Sequence, residues 1–135
     1  FGVAVQWALG DLGAEATRLA DLRDRFEAGL PSDAVIFGAG APRLPNTSNF
    51  SLLSLSAETA VIAMDLEGVA ISSGAACSSG KVRSSRVLAA MGVSPELAKA
   101  ALRVSFGHES KASDVDEALS ALHKIAARRA QGAAA

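Results

Sequence analysis

The stretch Ala101-Leu102-Arg103-Val104-Ser105-Phe106 alternates apolar and polar side chains with the period of two that a half-buried strand requires. Leu102, Val104 and Phe106 fall on one face, Arg103 and Ser105 on the other. An apolar strand face needs a covering layer, and the flanking sequence offers helices for it. Downstream, Ser113-Asp114-Val115-Asp116 opens a helix with a stripe of Val115, Leu119, Leu122 and Ala126, and Ser113 and Asp116 have the spacing of a capping box. Upstream, Ser94-Pro95-Glu96 starts a short helix, with a serine cap and proline at the first helical position. Residues 85–91 predict another.

Thr47 to Leu53 predicts a second strand. Ser48, Phe50 and Leu52 share one face, and Thr47, Asn49 and Ser51 the other. Ser56 is placed to cap a helix over residues 57–66, with Val61 and Met64 inward. Val69-Ala70-Ile71 and Val35-Ile36-Phe37-Gly38 are short strand candidates, and Gly40 to Pro45 is a loop whose two prolines withhold donors. At the start of the chain, Leu12, Ala16, Leu19, Leu22, Phe26 and Leu30 form a helical stripe, with Arg18, Arg23, Asp24 and Glu27 off it. Gly10 and Gly13 are the points where this segment divides, and Gly29 and Pro31 stop it. The order α-β-β-α-β-α-α-β-α predicts an α/β chain of the α+β kind, one small sheet of short strands covered by helices on one face. It is too short for a doubly wound dinucleotide fold.

Composition narrows the function. The chain has 135 residues, a formal net charge of -1 and a hydrophobic content of 50%. Nucleic-acid binding would need a basic stripe, and base stacking would need more than five Phe, one Trp and no Tyr. No apolar run reaches the ~20 residues of a membrane span. The single cysteine permits no internal disulfide, which fits a reducing, cytoplasmic setting. Two separated histidines and one cysteine give no metal-site spacing.

Two residues stand out for chemistry. Cys77 sits in Ser72-Ser73-Gly74-Ala75-Ala76-Cys77-Ser78-Ser79-Gly80, among small residues where nothing builds a core. Lys81, Arg83 and Arg86 follow, and positive charge favours the nucleophilic thiolate. The stretch from Gly74 to Lys81 fails as a phosphate loop, because five residues separate Gly74 from Gly80 and Val82 stands where a magnesium-binding hydroxyl belongs. From these features alone, an incidental thiol and a reactive one are both open. Arg103 is either a solvated arginine or a guanidinium fork for a carboxylate. Asn46, Thr47 and Asn49 form a polar patch that turn chemistry accounts for.

Three motifs, in order and spacing, bring in a family. PNTSNFS at 45–51, SSGAACSSG at 72–80 with VRSSRVLAAMG at 82–92, and ALRVSFG at 101–107 together resemble the C-terminal region of cysteine desulfurases. The cysteine loop has the long form that resembles the NifS/IscS-type subgroup. The resemblance is dense from Pro42 to Gly107 and weak from Phe1 to Leu30. It implies the small domain of a fold-type I enzyme that uses pyridoxal phosphate, homodimeric when intact. L-cysteine is the implied substrate, and a sulfur-acceptor or iron–sulfur scaffold protein the implied partner. Cys77 matches the nucleophile that carries away sulfur as a persulfide, leaving alanine. Arg103 matches the arginine that holds the substrate carboxylate, and Asn49 lies in the motif near the substrate. The family's cofactor-bonding lysine sits next to a histidine in the large domain, a context that Lys81, Lys99, Lys111 and Lys124 lack. Residues 1–30 are therefore expected to link to a large domain outside this chain, 31–130 to form the small domain, and 131–135 to fray. The chain alone is expected to be inactive. Two other readings fit the same residues: a related lyase or aminotransferase such as a selenocysteine lyase, and a non-catalytic module that carries persulfide or docks a scaffold.

Overall fold

The computed structural model describes residues 1–53, 55–74 and 85–133. Within them, helix α1 (Gly2–Leu9) and helix α2 (Leu12–Ala28) precede strands β1 (Val35–Ile36) and β2 (Thr47–Ser51). Helix α3 (Ala57–Leu66), strand β3 (Ser72–Ser73), helices α4 (Arg86–Ala90) and α5 (Pro95–Lys99), strand β4 (Ala101–Ser105) and helix α6 (Ala112–Ala133) follow. The four strands form one antiparallel sheet in the order β1-β2-β4-β3. β4, last in the chain, lies between β2 and β3.

The alternation predicted for β2 and β4 sets the layers. Phe50 and Leu102, opposed in register, have no exposed surface, and Ser48 is opposite Val104 on the same face. Three helices close over this face: Leu19, Leu22 and Phe26 from α2, Ala57, Ala60 and Met64 from α3, and Val115, Ala118, Ala121, Leu122 and Ile125 from α6. Phe26 meets Phe50 and Phe106 edge to face, with ring centroids 5.6 and 6.0 Å apart. Fully burying one such side chain stabilises the fold by about 1.5–3 kcal/mol. The stripe on α2 is buried only from Leu19 onward; Leu12 is exposed. α6 carries a wider stripe than expected, with Ala118, Ala121 and Ile125 added and Leu119 only partly buried.

The serine caps predicted at Ser56 and Ser94 each accept from the backbone N–H three residues on, and Ser85 does the same for α4. The last helix differs. It begins at Ala112, and the carboxylate that reaches back is Asp114, which accepts from Lys111 N–H at 2.9 Å. Asp116 instead takes a bidentate bond from Arg25 on α2. α6 runs on to Ala133, so residues 131–133 are helical.

β3 also moves from its predicted place. Val69 donates its N–H to Met64 O at 2.9 Å, and Gly68, at φ +83°, makes the left-handed turn that ends α3. The N–H of Val69 is used in closing the helix, and pairing with β4 begins only at Ser72. Val69 and Ile71 pack on the core from the side. A further departure concerns the second face of the sheet. α4 and α5 pack there with Phe37, where Leu88 and Ala98 meet Ala101, so helices cover one face wholly and one end of the other.

Candidate active site

The partly covered face carries the polar side chains. β2 and β4 pair so that Thr47 is opposite Ser105, Asn49 opposite Arg103 and Ser51 opposite Ala101. β3 adds Ser72 on the other flank of Arg103. Directly opposed residues share a face with Cβ atoms ~4.5–5.5 Å apart, so Asn49, Arg103 and Ser72 form one row across three strands. At the covered end, Ala101 and Ser51 are buried. At the open end, Ser105 is exposed, with its hydroxyl 3.4 Å from that of Thr47. Arg103 sits between, half-buried.

Unusually for a half-buried arginine, its guanidinium has no hydrogen-bond or ion-pair partner among the described residues. The Oδ1 of Asn49 beside it is buried and likewise without a partner, as is the hydroxyl of Ser51. Buried polar groups are nearly always bonded, so two orphans beside a cation that has no partner among the described residues set this face apart from the core face.

Next to Asn49, on the β1 side, a cleft of about 260 Å³ is lined by Phe37, Arg43, Leu44, Thr47 and Asn49. Arg103 does not line it. The cleft and the Arg103 row therefore share Asn49 as their common wall. Arg43 is held from behind: its two terminal nitrogens donate to Glu27 Oε1 and Oε2 at 2.7 and 3.0 Å, and Ser48 Oγ donates to Glu27 Oε1 at 2.7 Å. Burial opposes the charge on Glu27, but the bonds from Arg43 and Ser48, with the charges of Arg43 and Arg23, outweigh it and hold the carboxyl below its usual range. The bond to Glu27 in turn raises Arg43. Glu27, off the apolar stripe of α2, resembles a solvated charge in sequence; its partner is on a different element, and only the fold brings them together.

The cysteine loop is rooted at this face. Gly74 donates its N–H to Ala101 O at 2.7 Å, and a Cβ at Gly74 would meet the Cβ of Ala101 at 2.6 Å. Only glycine lets the chain pass so close. On the far side of the loop, Ser85 caps α4, whose Leu88 packs against the same Ala101. Cys77 itself lies outside the described residues, as do Lys81 and Arg83. Arg86, the first residue of α4, is exposed.

Several relatives match nearly the whole chain. A cysteine desulfurase of Gluconacetobacter diazotrophicus is 39% identical over 130 residues, 94% of this chain and 32% of its own length. A cysteine desulfurase IscS of Dictyoglomus turgidum is 36% identical, over 92% of this chain and 32% of its own. An IscS-like cysteine desulfurase of Mycobacterium tuberculosis is 36% identical, over 98% and 35%. The chain belongs to the cysteine desulfurase family. Its fold agrees: the solved structure of a NifS-like protein from Rickettsia africae superposes with a TM-score of 0.81 at 27% identity, covering 93% of this chain and 32% of that one. No family model matches. The chain spans about a third of the length of the curated relatives it matches.

Family membership raises the question of pyridoxal phosphate, which a lysine must carry. Among the described residues, Lys99 and Lys111 are exposed, and Lys124 on α6 bonds Glu67. None lines the cleft beside Asn49. The described residues do not make a site for that cofactor.

Proposed function

We propose that this chain is the C-terminal part of a cysteine desulfurase, in which Arg103 holds the carboxylate of L-cysteine and Cys77 receives its sulfur. The observation that carries this reading is the half-buried guanidinium of Arg103, without a partner among the described residues and one pleat along β4 from the residue where the cysteine loop is anchored. Ala101 and Arg103 lie two residues apart, about 6.7 Å along a strand. Cys77 is three residues on from Gly74, and a chain spans at most ~3.6 Å per residue, about 11 Å in all. A thiol so tethered can reach a substrate seated on Arg103.

The roles divide by stiffness. Arg103 is on the sheet's central pairing, bonded on both sides, which suits a group that must orient a small substrate. A planar fork with five donors takes a carboxylate through two parallel bonds. The Cys77 thiol exchanges with L-cysteine to give a Cys77 persulfide and L-alanine; the C–S bond of the substrate breaks and an S–S bond forms. Pyridoxal phosphate supplies the electron sink for that cleavage in this class of enzyme, and its lysine is expected in a part of the protein outside the described residues. An acceptor protein that takes the persulfide, such as an iron–sulfur scaffold, a homodimeric parent and a cytoplasmic setting belong to the same reading. No described helix is long and apolar enough to cross a membrane.

In the full-length protein loaded with pyridoxal phosphate, Cys77→Ser should abolish alanine release from L-cysteine, and Arg103→Ala should raise KM by at least about a hundredfold, the worth of a bidentate charged pair. Alanine release that survives Cys77→Ser would exclude Cys77 as the sulfur acceptor and favour a related lyase or aminotransferase.

A further inference from the structure

We infer that Asn49 is a positioning residue for Arg103: its buried Oδ1 accepts from one edge of the guanidinium and so turns the opposite edge toward the substrate carboxylate. The inference rests on the proposed role of Arg103 and adds to it a residue that acts through Arg103 without touching the substrate.

The geometry comes from the register. Asn49 and Arg103 are direct partners across β2 and β4, on the same face. Their side chains leave the sheet side by side, within reach of one another by rotation about the arginine's own torsions. The Oδ1 of Asn49 has essentially no solvent-exposed surface and no hydrogen bond among the described residues. Water cannot satisfy it there, and a buried acceptor left unpaired is costly. The charged donor directly across from it is the guanidinium of Arg103, equally without a partner among the described residues. Glu27 holds Arg43, the other arginine at the cleft, through both terminal nitrogens, so Arg43 is already committed.

The donor count fits. A guanidinium has five N–H groups, and a bidentate carboxylate uses two. The remaining three are available to the flanks of the row, where Asn49 and Ser72 are the register partners. A long, flexible side chain on a rigid strand still has to be aimed, and an acceptor fixed on the neighbouring strand removes the rotamers that point elsewhere. Asn suits this better than Asp, because a carboxylate at position 49 would compete with the substrate for the cation.

The test uses the full-length protein and the affinity of L-alanine, which presents the same carboxylate without the sulfur chemistry. Asn49→Ala should weaken L-alanine binding about tenfold, as expected for loss of one charged hydrogen bond, and raise KM for L-cysteine by a similar factor with kcat within about twofold. In an Arg103→Ala background the same substitution should change L-alanine affinity by less than about twofold, since nothing remains to be aimed. A merely structural Asn49 would weaken binding equally in both backgrounds and lower Tm, which overturns the inference. Unchanged affinity in the single Asn49→Ala variant overturns it as well. If Arg103→Ala alone leaves L-alanine binding intact, the carboxylate role of Arg103 fails first, and that outcome is distinct from the other two.

Discussion

Phe50 and Leu102, opposed across β2 and β4, have no exposed surface and sit beneath three helices. Asn49 and Arg103, one residue away on the same two strands, face a surface that α4 and α5 cover only at the Ala101 end. On the first face every buried group is apolar or paired, down to the Glu27 carboxylate that receives Arg43 and Ser48. On the second, a guanidinium, an amide oxygen and a hydroxyl have no partner among the described residues. The chain thus separates stability from binding by the direction in which alternate residues point.

That separation can be broken from either side. The largest effect belongs to the closed face: Phe50→Ala should destabilise by about 3–5 kcal/mol, the cost of a large cavity under the helices, measured by urea unfolding. Arg103→Ala, on the next strand and the other face, should leave the midpoint nearly unmoved; a comparable loss there would show that the two faces are one energetic unit. Next is Glu27→Gln, which strips Arg43 of its counter-charge and should cost about 3 kcal/mol at neutral pH. The Glu27 carboxyl titrates below its ordinary value of 4.5 in the folded state. Its contribution is therefore in place above about 4.5 and is lost as pH falls through the lower folded value. Wild-type stability should fall more steeply between pH 5 and 3 than that of Glu27→Gln; parallel acid limbs would count against the pair. The smallest effect has the opposite sign. Ser51→Ala removes an orphan hydroxyl from the second face and should raise stability by about 1 kcal/mol. A decrease would reveal a partner for that hydroxyl.

Much of this was legible from local pattern. Ser56 and the run after it set the bounds of α3, and strict alternation from Ala101 placed Arg103 opposite the core. What depends on pairing was not. Nothing near Val69 shows that its N–H is committed to ending α3, which displaces β3 to Ser72 and Ser73. The capping spacing of Ser113 and Asp116 is genuine, yet Arg25 from another helix claims Asp116, and Asp114 caps instead. Alternation put Asn49 and Arg103 each on a polar face, but only the register makes them neighbours. Cys77, singled out in sequence by its small-residue surroundings, falls outside the described residues.

The strand order has a consequence for assembly. Among the described residues β3 bonds only to β4, and β4 is the last of the four strands in chain order. Until residues 101–105 emerge from the ribosome and slot between two earlier strands, the short segment ahead of the cysteine has nothing to pair with. Such distant closure is slow compared with helix formation. The same insertion event therefore brings Arg103 into the sheet beside Asn49 and ties Gly74 to Ala101 O.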